Sequence, residues 1–385
     1  MSCVVPSMPM TTLRQRMGSR AMSENIPLWA YVEIIATCNF KCEHCFIAPC
    51  AEREDVMSLA QAELLFRKLS DAGTLSLLLT GGEIFSHRQF KEIYLSAKQH
   101  GFMIYLNSNG YLIGERWADF LAEWPPVIVS ISLYGLSDER YQRVTGIPNA
   151  FRRVDRAVDL LLERGIRVEL KCPALTLTVD ELPRMKEYAK QRGIEFRYDP
   201  IITPQEKGDV KPMQLQLAPK EVLALDESMD PGMEAFAAFA KGFGRSTGDA
   251  RVYTCGGGSI AMSVNVKGGI GTCLTSRQFV GNLFEQPFEE VWSMLRGKVT
   301  KKFADGHPCA TCKFRTICAG CPATVEEATG LPEGYVQQYC KITHLRAHRI
   351  GLHPTGIPRT VTEGISSHVR TPFAAAARAL PILSS

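Results

Sequence analysis

Three cysteines stand close together near the start of the sequence, in Cys38-Asn-Phe-Lys-Cys42-Glu-His-Cys45. Thiolates at this spacing can converge on one metal centre from a single loop. Tetrahedral zinc would need a fourth ligand, and His44 lies too close in the chain to serve comfortably alongside both neighbours. An iron–sulfur cubane held by three cysteines leaves one iron open for an outside ligand, a catalytic arrangement parallel to the open position of catalytic zinc sites. A second set lies toward the other end: Cys255 and Cys273, then Cys309-x2-Cys312-x5-Cys318-x2-Cys321, then Cys340. Paired CxxC units are a metal signature, and one or two structural zinc ions would suit them as an alternative to iron–sulfur clusters. Between the sets stands Thr80-Gly81-Gly82-Glu83. Paired glycines at a strand end let a ligand approach the backbone, and Glu83 adds an anionic acceptor for an ammonium group.

These residues need elements to position them. Strand-like apolar runs occur at 30–36, 75–79, 103–106, 127–133, 168–172 and 195–198, and amphipathic helical stretches at 59–69, 90–100, 151–164 and 182–192 lie between them. Gly73, Gly101, Gly165 and Gly193 each end a helical stretch before a strand, the C-cap use of glycine. Repeated strand–loop–helix order predicts a parallel sheet with right-handed crossovers, and six such units fall short of the eight of a complete barrel. The fold class expected is therefore α/β, an open sheet or a partial (β/α)6 barrel. Its chemistry belongs in the loops after the strands' C-terminal ends, where Cys38–Cys45 and Gly81–Glu83 fall. After Pro200 the pattern breaks into a linker with short helices at 220–228 and 234–243. A cysteine-rich extension follows, with a β-hairpin of 260–266 and 270–273 and a helix over 288–295.

Composition narrows the function classes. The chain has 385 residues, 45% hydrophobic and 22% charged, which excludes a disordered or collagen-like protein. No apolar run is long enough for a membrane span, and the start does not read as a signal peptide, so a cytoplasmic location is expected. In a reducing compartment 13 cysteines point to metal ligands rather than disulfides. The net charge of +4 comes from the tail: from Lys341 onward the balance is +5, leaving −1 for the body. Without a basic stripe, the body is not expected to bind nucleic acid.

The CxxxCxxC loop after the first strand and the Thr-Gly-Gly-Glu loop after the second resemble the radical S-adenosylmethionine (radical SAM) superfamily. The resemblance implies that Cys38, Cys42 and Cys45 hold a 4Fe–4S cluster whose open iron is chelated by SAM. It implies that Gly81, Gly82 and Glu83 bind the methionine amino group. Asn109 in Asn107-Ser-Asn-Gly is similar to the family's T-N-G segment, Ser132 in Ser130-Ile-Ser132 to its ribose-contacting strand, and His44 to the residue near the adenine. Ile84 stands where the common TGGEP pattern has proline.

The C-terminal cysteines resemble the SPASM extension, which carries auxiliary iron–sulfur clusters, although Cys318-x2-Cys321 is shorter than its usual x3. That resemblance implies a distal cluster on Cys309, Cys312, Cys318 and Cys340, and a proximal one on Cys255, Cys273 and Cys321. The proximal set has three candidates, so its fourth position is expected to be open or filled by a group other than cysteine. The unassigned cysteines are Cys3, Cys50 and Cys172, and Cys172 reads as a buried strand thiol. Arg197, Asp199 and Tyr134 are candidates for contacting substrate; the first two could equally form a rim ion pair, and Tyr134 could be loop packing.

The expected domains are an N-terminal arm (1–27), the radical SAM partial barrel (28–202), a linker (203–253), the SPASM domain (254–342) and a basic, mobile tail (343–385). The function implied is oxidative modification of a peptide or protein: crosslinking, thioether or ether formation, or related peptide maturation. The implied partners are a flavodoxin- or ferredoxin-type electron donor and a separate peptide-recognition protein. Oxidation of a small molecule or carbohydrate is an alternative within the family. A zinc-stabilised scaffold or an electron-transfer protein is the alternative outside it.

Overall fold

The structure, a computed structural model, describes residues 10–47, 55–229, 232–243 and 250–352. Six parallel strands carry the first half: β1 (Trp29–Ile35), β2 (Ser76–Gly81), β3 (Met103–Ser108), β4 (Ile128–Ser132), β5 (Val168–Pro173) and β6 (Glu195–Asp199). They lie side by side in chain order, as the alternating sequence predicts. Two further strands, β7 (Ala261–Val264) and β8 (Ile270–Gly271), extend the same sheet beyond β1, in the order β6-β5-β4-β3-β2-β1-β7-β8. β7 runs parallel to β1 and antiparallel to β8, so the expected hairpin is present but is part of the barrel sheet.

Ladder partners share a face, and the two faces differ in chemistry. Ala30, Leu77 and Ile104 line up on one, as do Val32, Leu79, Leu106 and Val129; all are fully buried. Helices α2 (Leu59–Asp71), α3 (Phe90–Gln99), α4 (Glu115–Glu123), α5 (Asp138–Thr145), α6 (Ala150–Glu163) and α7 (Leu182–Gln191) contribute to the same core. The opposite face carries Glu33, Thr80, Asn107, Ser130, Ser132, Glu169 and Lys171, a polar interior at the level of the strands' C-terminal ends. Parallel strands buried on both faces read as unbroken apolar runs; this alternation marks a sheet with a polar lumen.

Three boundaries move. The N-terminal arm is not free: a helix, α1 (Met10–Glu24), precedes β1, Ala21 is buried, and Trp292 donates its indole N–H to the Asn25 carbonyl at 2.8 Å. The cysteine-rich region shares the barrel's core through Leu283, Phe288, Val291, Trp292 and Leu295, the last four on α8 (Phe288–Val299). The tail does not begin at 343. Helix α9 (Gln337–Arg349) buries Ile342, Thr343 and Ala347, and Arg346 grips Asp226 of the linker at 2.7 Å. Sequence reading cut these segments at changes in composition, whereas burial and a long-range ion pair define them. The rest of the tail lies outside the described residues. Among the described residues no helix is long and apolar enough to cross a membrane.

Candidate active site

The loop after β1 is held from both sides. The Ala36 N–H donates to the Asp55 carbonyl at 2.9 Å and the Lys41 N–H to the Thr145 carbonyl at 2.8 Å. Within this frame Cys38, Cys42 and Cys45 are half-buried and in one another's electrostatic reach. Burial pushes the Cys38 thiol up to about 12, with Glu83 and Cys45 adding to the shift and the Phe40 N–H (3.4 Å from Sγ) and the Asn109 amide (3.7 Å) opposing it. Cys42 is also raised well above its ordinary value, by burial and then by its two cysteine neighbours. Such thiols are poor anions alone, and a cationic cluster reverses that balance by binding the thiolate form.

The expected neighbours converge on this loop. Asn109 aims its amide at both Cys38 and Asn39 Oδ1 (2.8 Å). Tyr134 is buried, its ring 5.2 Å from that of His44, and its hydroxyl lies beside Ser132 and within reach of all three cysteines. Burial holds the His44 imidazole neutral, its pKa lowered to about 4, and its Nδ1 is enclosed with no hydrogen-bond partner. The donor set and this unpartnered nitrogen fit a cluster with an organic ligand bound next to it. Among the described residues no group of three or more His, Cys, Asp or Glu is arranged to hold a single metal ion.

The Gly81-Gly82-Glu83 loop packs against the end of β1. A Cβ on Gly81 would sit 2.1 Å from the Ile35 carbonyl oxygen, and one on Gly82 2.1 Å from that of Thr37. The glycines admit the end of β1, which accepts the Gly82 N–H at 2.8 Å and the Glu83 N–H at 3.0 Å. Glu83 is fully buried. Its Oε1 accepts from Ser108 Oγ (2.8 Å) and the Phe85 N–H (3.1 Å), and its Oε2 from the Asn109 N–H (2.7 Å). The carboxylate pins the β2 and β3 loops together.

Arg197 and Asp199 also resolve. Arg197 pairs with Glu195 at 3.0 Å and with the buried Glu169 at 3.2 Å, and Asp199 accepts the Ile201 N–H at 2.8 Å. Glu169 further takes Lys171 at 2.8 Å and the Ser130 hydroxyl. Arg197 thus pairs with Glu195 and Glu169 rather than with Asp199, which caps the turn after β6. Glu169 and Lys171 were missed, although their alternation with Val168, Leu170 and Cys172 marks them as lumen residues.

The C-terminal cysteines fall into two groups. Cys255, Cys273 and Cys321 influence one another's charge, and so do Cys309, Cys312, Cys318 and Cys340. The supports differ: Thr275 Oγ1 lies 3.0 Å from the Cys273 sulfur, while the Gly320 N–H, at 3.3 Å, and the Thr343 hydroxyl, at 3.7 Å, donate to Cys318. Cys172 belongs to neither. It is buried under β5 against Thr178, and burial pushes its thiol up to about 12. Cys3 and Cys50 lie outside the described residues. Cys172→Ser is therefore expected to leave iron content unchanged in a colorimetric assay while costing about 1–3 kcal/mol in urea unfolding, because a hydroxyl replaces a buried thiol.

Comparison with known proteins agrees with this geometry. The chain is 24% identical over 336 residues to an AdoMet-dependent heme synthase of Methanosarcina barkeri, covering 80% of this chain and 94% of that one. It is 24% identical over 314 residues to AlbA, the antilisterial bacteriocin subtilosin biosynthesis protein of Bacillus subtilis, covering 77% and 67%. Its fold matches Streptococcus suis SuiB, crystallised with the precursor peptide SuiA, with a TM-score of 0.65 at 18% identity over 87% of this chain and 82% of that one. The radical SAM superfamily profile matches residues 32–189, which run from within β1 into α7 and include the Cys38–Cys45 loop.

Proposed function

We propose that this radical SAM enzyme oxidatively modifies a peptide, holding a SAM-binding 4Fe–4S cluster on Cys38, Cys42 and Cys45 and two auxiliary clusters on its C-terminal cysteines. The observation that carries this reading is the separation of ten cysteines into three groups that share no member. When bound, the first cluster and SAM supply a 5′-deoxyadenosyl radical that takes a hydrogen atom from substrate. The chain's own residues do the positioning. Asn109 and the Phe40 N–H orient the Cys38 sulfur, Glu83 fixes the loops around the SAM site, and Tyr134 with neutral His44 gives a mainly apolar wall that excludes water.

Among the described residues the distal group offers four cysteines and the proximal group three, and the proposal leaves the proximal fourth position open or taken by a non-cysteine group. An oxidative outcome needs a route for the substrate radical's electron, and auxiliary clusters offer one. The likeness to AlbA and to peptide-bound SuiB favours a peptide over other substrates. A flavodoxin- or ferredoxin-type donor and a separate peptide-recognition protein complete the proposal. The heme synthase likeness supports a second reading, oxidation of a small molecule such as a porphyrin.

Anaerobic, cluster-loaded protein given SAM and a strong reductant is expected to release 5′-deoxyadenosine, read by liquid chromatography and mass spectrometry. No such product would defeat the enzyme reading. Hydrogen loss from precursor peptides, and none from porphyrins, is the expected division between substrates; the reverse would establish the second reading.

A further inference from the structure

Arg277 is buried, its side chain 5% exposed, and it is absent from every motif in the sequence. Its guanidinium takes both oxygens of Glu33, Nη1 to Oε1 at 2.5 Å and Nη2 to Oε2 at 3.1 Å. Nε and Nη2 also reach Glu206 Oε1, at 2.8 and 2.6 Å. Its own backbone N–H donates to Glu327 at 2.7 Å, and its guanidinium carbon lies 6.0 Å from the Phe46 ring and 5.2 Å from that of Phe279.

The partners belong to the two cysteine sets. Glu33 leads along β1 into Cys38. The Glu206 N–H donates to the carbonyl of Phe46, next to Cys45, at 3.0 Å. Arg277 follows Cys273 in the loop after β8, and Glu327 shares helix α10 (Pro322–Thr329) with the residues just after Cys321. One arginine therefore ties both flanks of the first cysteine loop, through its guanidinium, to two of the three segments of the proximal group, its own and, through its backbone N–H, that of Glu327.

We propose that Arg277 is a positioning residue, a latch that fixes the separation between the first centre and the proximal one; the assignment rests on the two-centre reading of the proposed function. A buried ion triad is weak as a source of stability and is best used to fix register. The requirement is for arginine in particular. Three of its nitrogens are engaged in a planar fork on two carboxylates, which the point charge of lysine does not reproduce.

The test compares cluster-loaded wild type with R277K and R277M. Hydrogen exchange at the Glu206 and Arg277 amides is expected to rise by about tenfold or more in both variants, with β3 amides unchanged, because the latch opens locally. The spin–spin broadening between the two reduced centres in electron paramagnetic resonance is expected to narrow at unchanged iron per chain. Where R277M fails to fold, R277M/E33Q/E206Q leaves no buried charge unpaired and carries the same expectations. Unchanged exchange at both amides in R277K would overturn the latch, as would unchanged broadening. Wild-type protein that loads only one cluster would instead defeat the two-centre reading, and the exchange measurement would still decide whether Arg277 holds the two segments together.

Discussion

Replacing Cys38, Cys42 and Cys45 together with alanine is expected to abolish 5′-deoxyadenosine formation and to lower bound iron by about one third, since each of three clusters holds about four irons. The expectation follows from how the cysteines are divided. The first group interacts with Glu83, Asn109 and Tyr134, and the cysteines that shift Cys38 and Cys42 belong to its own loop. The loop's backbone is held by Asp55 and Thr145, not by the thiols, so alanine removes the donors without removing the anchors. A single Cys→Ala change should suffice for the same loss of product, because a three-cysteine site has no ligand to spare. Cys312→Ala, by contrast, is expected to empty the distal group while 5′-deoxyadenosine still forms. Iron assay and product analysis on the same preparations read both outcomes. Product persisting in the triple variant would show that the site has been placed on the wrong cysteines.

Much of this site was legible because its information is local. Cys38, Cys42 and Cys45 occupy eight consecutive residues, and a strand before them and a helix after them are both visible as apolar patterns. Gly81, Gly82 and Glu83 were also singled out, but without their packing partner. Sequence shows that glycine allows a close approach; only the packed sheet shows that the approaching group is the end of β1. Arg277 was invisible for a plainer reason. Its partner Glu33 lies 244 residues away, and neither residue carries a motif. The attachment of β7 to β1 is hidden likewise, since a short apolar run does not declare which strand it will pair with. The N-terminal helix was passed over because its polar composition hides the few contacts, at Ala21 and Asn25, that dock its end.

Glu83→Ala is expected to destabilise the iron-free protein by about 3–5 kcal/mol at pH 5, and by clearly less at pH 8, in urea unfolding. The first part is a hydrogen-bond argument. The Phe85 N–H, the Asn109 N–H and the Ser108 hydroxyl all lose their acceptor at a place no solvent reaches. A buried donor left unsatisfied costs about 1–3 kcal/mol, and Ser108 can turn its hydroxyl elsewhere. The pH dependence comes from burial. Desolvation raises the Glu83 carboxyl from 4.5 to about 7, against the opposing pull of its three donors. Between those values the native protein holds a proton that the unfolded chain has released. Its contribution is present in full below about 4.5 and is lost as the pH rises through about 7, about 3 kcal/mol in all. Alanine carries no such proton, so its curve lacks that fall and the two proteins approach each other at high pH. This inverts the usual behaviour of a hydrogen-bonded carboxylate, which contributes most when ionised. A gap that widens with pH would show that the three donors outweigh burial and that Glu83 is held as an anion, and the loops around the SAM site would then be pinned by a charge.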